Sequence, residues 1–163
     1  MKLRKWLEEW DMVSLKINMK FLEMDWAPNT ADQDAAWWLY IELLTRVTTQ
    51  HLSPDIGDEK TALDSIYSLF PLTRMILKEH RRDCLEFAKI SIPMLNQIVR
   101  PFTEKWHRLS LAGAFGDRDQ CREFRIEMAK LQDELRKYTR MLGAMAGVED
   151  ISALELPDGE ARK

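Results

Sequence analysis

Apolar residues recur at intervals of three and four along almost the whole chain, and this spacing is the feature that most limits its possible folds. The last series is the clearest, and it contains Phe124, Met128, Leu131, Leu135, Tyr138 and Leu142. That period places large apolar side chains on one stripe of an α-helix. No segment alternates between apolar and polar residues as a half-buried strand would. The sequence therefore predicts an all-α protein.

Prolines and capping residues divide this pattern into five or six predicted helices. The first helix is about twenty residues long, with an apolar stripe of Trp6, Trp10, Val13, Ile17, Phe21 and Met24. Pro28 ends it, and Thr30 with Gln33 has the form of a capping box that begins the second helix. Pro71 and Pro93 fall inside later helical segments, where proline removes a backbone hydrogen bond. Two of the helices are therefore predicted to be kinked.

Three downstream residues mark further helix boundaries. Asp83 is a predicted cap of the fourth helix, Pro101 opens a further segment, and Asp117 is a predicted cap of the last helix. Short loops favour antiparallel neighbours, so we predict an up-and-down bundle. Residues 1–146 are predicted to form a single domain, and residues 147–163 a flexible acidic tail.

Charge and composition narrow the class of protein. The formal net charge of −3 gives no overall positive field of the kind that nucleic-acid binders use, so nucleic-acid binding is only a further alternative. Cys84 and Cys121 show no Cys-x-x-Cys spacing and are predicted to be buried thiols in a reducing compartment. No apolar run approaches the roughly 18 residues of a membrane span, and acidic residues come too early for a signal peptide. A cytoplasmic protein without membrane association is expected.

Glu104 and His107 are the strongest metal-ligating candidates, because a Glu-x-x-His pair lies on one face of a helix. A di-iron bundle needs two such pairs with further glutamates, and a zinc site needs three or four ligands. We therefore predict no metal, no cofactor and no catalytic residue. The alternative is a small metal-dependent enzyme or effector in which Glu42 joins the pair. Glu42 lies among large apolar residues and either acts as an acid or base with a raised pKa or pairs with Arg46.

Two basic clusters are candidate binding sites for an acidic partner. The first is at the turn between the third and fourth helices and includes Arg81 and Arg82. The second surrounds Pro101 and comprises Arg100, Lys105, His107 and Arg108. The alternative for the first cluster is that its cations only stabilise the dipole at a helix C-terminus.

Tryptophan is unusually frequent, with six residues in 163. Trp37 and Trp38 are adjacent, so their side chains point about 100° apart on a helix and one of them is expected at an edge. Exposed tryptophan beside arginine is typical of protein interfaces. The alternative is a wide apolar stripe that buries both rings.

The segments "LNQIVRPFTEKWHRLS" and "FRIEMAKLQDELRKYTRMLGAMAGVED" lie toward the C-terminal end of the chain, and a resemblance that covers about a third of the chain rests on them. They resemble a box found in small, uncharacterised all-helical bacterial proteins that accompany conflict or antiphage-defence genes. The most distinctive residues of the resemblance are Arg100, Pro101, Phe102, Lys105, Trp106 and His107. The resemblance implies an accessory role in a multi-protein system, with a neighbouring gene product as partner, and it supplies no catalytic residue.

These features favour a non-enzymatic helical adaptor or accessory subunit that binds another protein. Its Trp-rich and basic surfaces are predicted to bind the partner through Arg100, Lys105, His107, Arg108, Trp37, Trp38, Arg81 and Arg82. Because an exposed tryptophan needs a cover, association with a second copy of the chain is a further expectation.

Overall fold

The computed structural model describes residues 1–46, 48, 49, 51–53 and 58–155, and within them the chain forms eight α-helices and no β-strand. The helices are α1 (Leu3–Glu9), α2 (Met19–Leu22), α3 (Thr30–Leu44), α4 (Glu59–Tyr67), α5 (Leu69–His80), α6 (Leu85–Pro93), α7 (Arg100–Leu111) and α8 (Arg118–Ala146). A π-helical segment, Met94–Val99, joins α6 to α7. The predicted all-α bundle is confirmed. No helix in these described ranges is both long and apolar enough to cross a lipid bilayer.

The first helix differs from the prediction, because α1 ends at Glu9 and α2 is a separate helix of four residues. Asp11 has a φ of 53°, in the left-handed region that a right-handed helix does not use. The chain then turns back on itself, and the Trp26 N–H donates a hydrogen bond of 2.8 Å to the Met1 carbonyl oxygen. The ring of Trp26 stacks on that of Trp6, with 4.3 Å between centroids. These tertiary contacts override the helical period of the segment.

The capping box of α3 lies one residue before the predicted one. The Asn29 side chain accepts from the Asp32 N–H, and the Asp32 Oδ2 accepts from the Asn29 N–H, both at 2.9 Å. Thr30 is the first residue of the helix, and the Thr30–Gln33 box is wrong. The spacing of the motif was right, but its register was shifted by one residue.

The sequence predicts Asp83 as the cap of α6, but Asp32 supplies this cap in the structure. Its Oδ1 accepts from the Phe87 N–H of α6 at 2.9 Å. Asp83 makes no side-chain cap for α6 and lies in the 3₁₀ turn Arg81–Asp83, where its carbonyl oxygen accepts from the Asn29 side chain at 2.8 Å. The first turns of α3 and α6 are thereby joined, and a tertiary contact replaces the predicted local cap.

Prolines lie close to the helix boundaries. α4 ends at Tyr67 and α5 begins at Leu69, so Pro71 lies in the first turn of α5, where a missing N–H costs little. Pro93 is the last residue of α6, and the π-helical segment follows it at once. Pro101 lies in the first turn of α7, as predicted.

The core is built around α8, which packs along α3. Asp117 accepts from the Gln120 N–H and caps α8, and all six residues of its predicted apolar stripe are buried. Gly143 allows α3 to approach closely, because a Cβ there would lie 3.0 Å from Cε2 of Tyr40. The Tyr40 hydroxyl accepts from the Ile151 N–H at 3.0 Å. Of the predicted tail, residues 156–163 lie outside the described part of the chain.

Candidate functional site

The residues of the second basic cluster, on α7, contact different parts of the bundle. The guanidinium of Arg100 lies 4.7 Å from the centroid of the Phe70 ring and donates to the Asn96 side chain at 3.1 Å. His107 packs edge-on against Tyr67 of α4, with 5.0 Å between ring centroids. Arg108 is exposed to solvent. Arg100 and His107 therefore contact aromatic residues of α5 and α4, whereas Arg108 faces solvent.

Lys105 is directed at α8 and is held by two carboxylates of the same chain. Its Nζ lies 3.1 Å from Oε1 of Glu123 and also contacts Oε1 of Glu127. Trp106 donates from Nε1 to Oε2 of Glu127 at 2.9 Å. The hydrogen bond to Glu127 raises the pKa of Lys105 above its usual value. Partial burial raises the pKa of Glu127, but hydrogen bonds from Lys105 and Trp106 outweigh that effect and hold this pKa below its usual value.

Replacing Lys105 with methionine is expected to lower stability near neutral pH and to matter less in acid. The lowered pKa of Glu127 means that its contribution is present above the unfolded value of 4.5 and is lost as pH falls through the folded value. We expect a loss of about 1 kcal/mol or less at about pH 7, the range of partly exposed ion pairs, and a smaller loss at about pH 3. Urea unfolding at both pH values measures this, with Lys78→Met, which removes an exposed lysine of α5, as the control. A loss that is undiminished in acid would assign the effect to packing instead.

Glu104 and His107, the candidate metal-ligating pair, are directed at different groups. Glu104 is exposed, with an oxygen 3.9 Å from Nη1 of Arg100, whereas His107 is directed at Tyr67. Glu42 is half-exposed and accepts from Arg46 at 2.7 Å, which matches the interpretation of Glu42 as an ion-pair partner. Within the described residues, no three or more His, Cys, Asp or Glu side chains form a group able to hold a metal ion.

Trp37 and Trp38 line a groove at one edge of the bundle, and it is Trp37 that lies exposed, with 43% of its surface accessible. We call this the Trp groove, and its volume is about 530 Å³. Its lining residues are Asp34, Trp37, Trp38, Ile41, Glu42, Glu79 and His80. Trp38 is half-buried, and its ring lies 6.5 Å from that of His80 at the end of α5.

The first basic cluster adjoins the Trp groove. His80 lines the groove, and the exposed residues Arg81 and Arg82 follow it directly in the 3₁₀ turn. Arg81 has a φ of 55°, a strained conformation for a residue with a side chain. Of the predicted partner-binding residues, Trp37 and Trp38 line the groove, and Arg81 and Arg82 follow its lining residue His80 in the chain.

A second groove, between α2 and α6, was missed by the sequence analysis. This α2–α6 groove has a volume of about 520 Å³. It is lined by Lys16, Ile17, Asn18, Phe21, Met24, Leu85, Glu86, Ala88, Lys89, Ile92 and Pro93. Phe21, Met24, Leu85 and Ile92 are large apolar side chains that are each more than two-fifths exposed.

The sequence contained one signal for this groove. α6 buries Phe87 and Ile90, yet Leu85 and Ile92, seven residues apart, form a second apolar stripe on another face. Phe21 and Met24 gave no such signal, because the prediction placed them on the core stripe of a long first helix. Their exposure in the structure corrects that assignment.

Comparison of the chain with protein-family models, with curated proteins and with solved structures found no match. The resemblance to accessory proteins of defence systems therefore stays a hypothesis.

Proposed function

We propose that the protein is a non-enzymatic adaptor or accessory subunit that binds another protein through the Trp groove and the adjoining turn with Arg81 and Arg82. The observation that carries the proposal is the exposed ring of Trp37 in a groove that also contains Trp38. Tryptophan and arginine are the residues that interfaces concentrate at their energetic centres. A partner that covers the Trp37 ring removes apolar surface from water and gains free energy of binding.

The charges around the Trp groove supply orientation rather than bulk affinity. Arg81 and Arg82 are exposed at one end, and the exposed carboxylates of Asp34 and Glu79 line the groove itself. A mixed pattern of this kind selects a partner with a complementary pattern and fixes its register. In line with the resemblance to defence-associated proteins, the proposed partner is a neighbouring gene product of a bacterial defence system.

Two alternatives receive less support from the geometry. A metal-dependent enzyme or effector would need Glu104 and His107 together, and stoichiometric metal in the dialysed protein would favour it over the adaptor. A nucleic-acid-binding accessory protein would need an exposed stacking aromatic in a cationic groove. Trp106 beside the second basic cluster is buried, and the groove with the exposed Trp37 is lined by the carboxylates of Asp34 and Glu79. Retention on heparin that falls steeply with salt would support that alternative.

Trp37→Ala is expected to weaken binding of the partner about 10- to 100-fold, the range of an aromatic hot spot. Candidate partners are the products of neighbouring genes, co-expressed with the full chain and captured on it. Calorimetric titration of the captured partner then gives the affinity of each variant.

The matched control is Ile126→Ala, which removes an apolar side chain that is 54% exposed on α8. It should leave the affinity unchanged, and the melting temperatures of both variants should stay close to that of the wild type. Equal affinity of the two variants for every captured partner would contradict a role for the Trp groove.

A further inference from the structure

The α2–α6 groove shares no lining residue with the Trp groove, and the proposed function does not involve its exposed apolar side chains. We infer that it is a second binding site, which takes an amphipathic helix of a partner protein with an acidic side chain next to Lys16. The inference does not depend on the Trp groove.

The spacing of the groove matches the spacing of side chains on a helix. Leu85 and Ile92 lie two helical turns apart on α6, which corresponds to about 10.5 Å. Phe21 and Met24 line the groove from the α2 segment. A helix that docks in such a groove inserts side chains at positions i, i+3 or i+4, and i+7, which cover the same two turns.

The groove is formed before any partner arrives. Gln97 of the π-helical segment accepts from the Lys16 N–H through Oε1 at 2.7 Å and donates to the Lys16 carbonyl oxygen through Nε2 at 2.8 Å. This pair of hydrogen bonds fixes the segment before α2 to the π-helical segment that follows α6. A preorganised site avoids much of the entropic cost of ordering on binding.

Charge complementarity defines the acidic character of the proposed helix. Lys89 is committed to Glu86, with 2.5 Å between Nζ and Oε1, and both side chains are largely buried. Lys16 also lines the groove, is exposed, and forms no ion pair with any residue in the described ranges. An aspartate or glutamate on the edge of the docked helix would therefore meet an uncompensated ammonium group.

The concave shape of the groove argues against a second copy of the chain as its occupant. A two-fold contact places the same patch of both subunits face to face. Two grooves in that arrangement would enclose a void, whereas a helix is convex and fills one groove.

A display library of amphipathic helical peptides, selected against the full chain, tests the inference directly. The enriched peptides should contain large apolar residues at i, i+3 or i+4, and i+7, with an acidic residue beside them. Their affinity should fall about tenfold or more for Ile92→Asp, and stay unchanged for Ile126→Asp and for Trp37→Ala. Leu85→Asp is a second variant, and because Leu85 is 60% exposed its substitution should leave the melting temperature nearly unchanged.

A charge exchange tests the role of Lys16 separately. Lys16→Glu should weaken the selected peptides, and replacement of their acidic residue by lysine should restore the binding. Peptides without the apolar spacing, or peptides that bind Ile92→Asp as tightly as the wild type, would overturn the inference. A dimer in sedimentation that Ile92→Asp converts to a monomer would also overturn it, in favour of a second copy.

Discussion

Replacing Trp106 with alanine is expected to lower the free energy of unfolding by about 3 to 5 kcal/mol. Trp106 is fully buried, and its ring centroid lies 5.2 Å from that of Phe124 and 6.0 Å from that of Phe115. Truncation removes these contacts and leaves a cavity in the aromatic cluster that joins α7 to α8. The surrounding helices relax only partly into such a cavity, so the cost exceeds the transfer free energy of the ring alone.

Two further variants separate packing from hydrogen bonding. Trp106→Phe keeps a ring in the cluster but loses the hydrogen bond from Nε1 to Glu127, so we expect a smaller loss than for Trp106→Ala. Trp37→Ala removes the same residue type from an exposed position and should cost less than about 1 kcal/mol. Urea unfolding followed by circular dichroism measures all three. A loss below about 1 kcal/mol for Trp106→Ala would mean that α7 is not anchored through this ring.

The sequence predicted α8 well because all of its signals are local. Asp117 at the start and the unbroken apolar stripe that follows it are properties of neighbouring residues, and the structure uses both of them. The prediction of one long first helix was wrong because the contacts that shape this segment are not local. Trp6 stacks on Trp26, twenty residues away, and the period of the intervening segment carries no information about that contact.

The candidate sites show the same division between local and distant information. The adjacency of Trp37 and Trp38 was enough to predict that one of them lies at an edge. The ion pairs of Lys105 were not predictable, because Glu123 and Glu127 belong to another helix whose orientation the sequence does not specify. The α2–α6 groove likewise depends on how two separate segments meet, and only the second apolar stripe of α6 indicated it.

Asp32→Ala is expected to lower the free energy of unfolding by about 3 kcal/mol, although it removes only one small side chain. Asp32 is buried, and its carboxylate accepts from the backbone N–H groups of Asn29 and Phe87, each at 2.9 Å. Hydrogen bonds to a charged acceptor contribute about 1.5 to 3 kcal/mol each, and some of that gain is offset by the burial of the carboxylate. The variant removes one half of the capping box of α3, whose Asn29 side-chain cap remains, and it leaves the first turn of α6 without a cap. The N–H of Phe87 then becomes an unsatisfied donor in the core.

Asp32→Asn separates the two caps, because an amide has one acceptor oxygen and can serve only one of the two N–H groups. We expect about half the loss of the alanine variant, measured by urea unfolding. Amide hydrogen exchange at Phe87 should be faster in Asp32→Ala than in the wild type. The control is Asp34→Ala, which removes an exposed carboxylate from the same helix and should stay within about 0.5 kcal/mol of the wild type. An Asp32→Ala variant as stable as Asp34→Ala would contradict the role of Asp32 in positioning α6. The α6 wall of the α2–α6 groove would then be held by the hydrogen bonds of Gln97 instead.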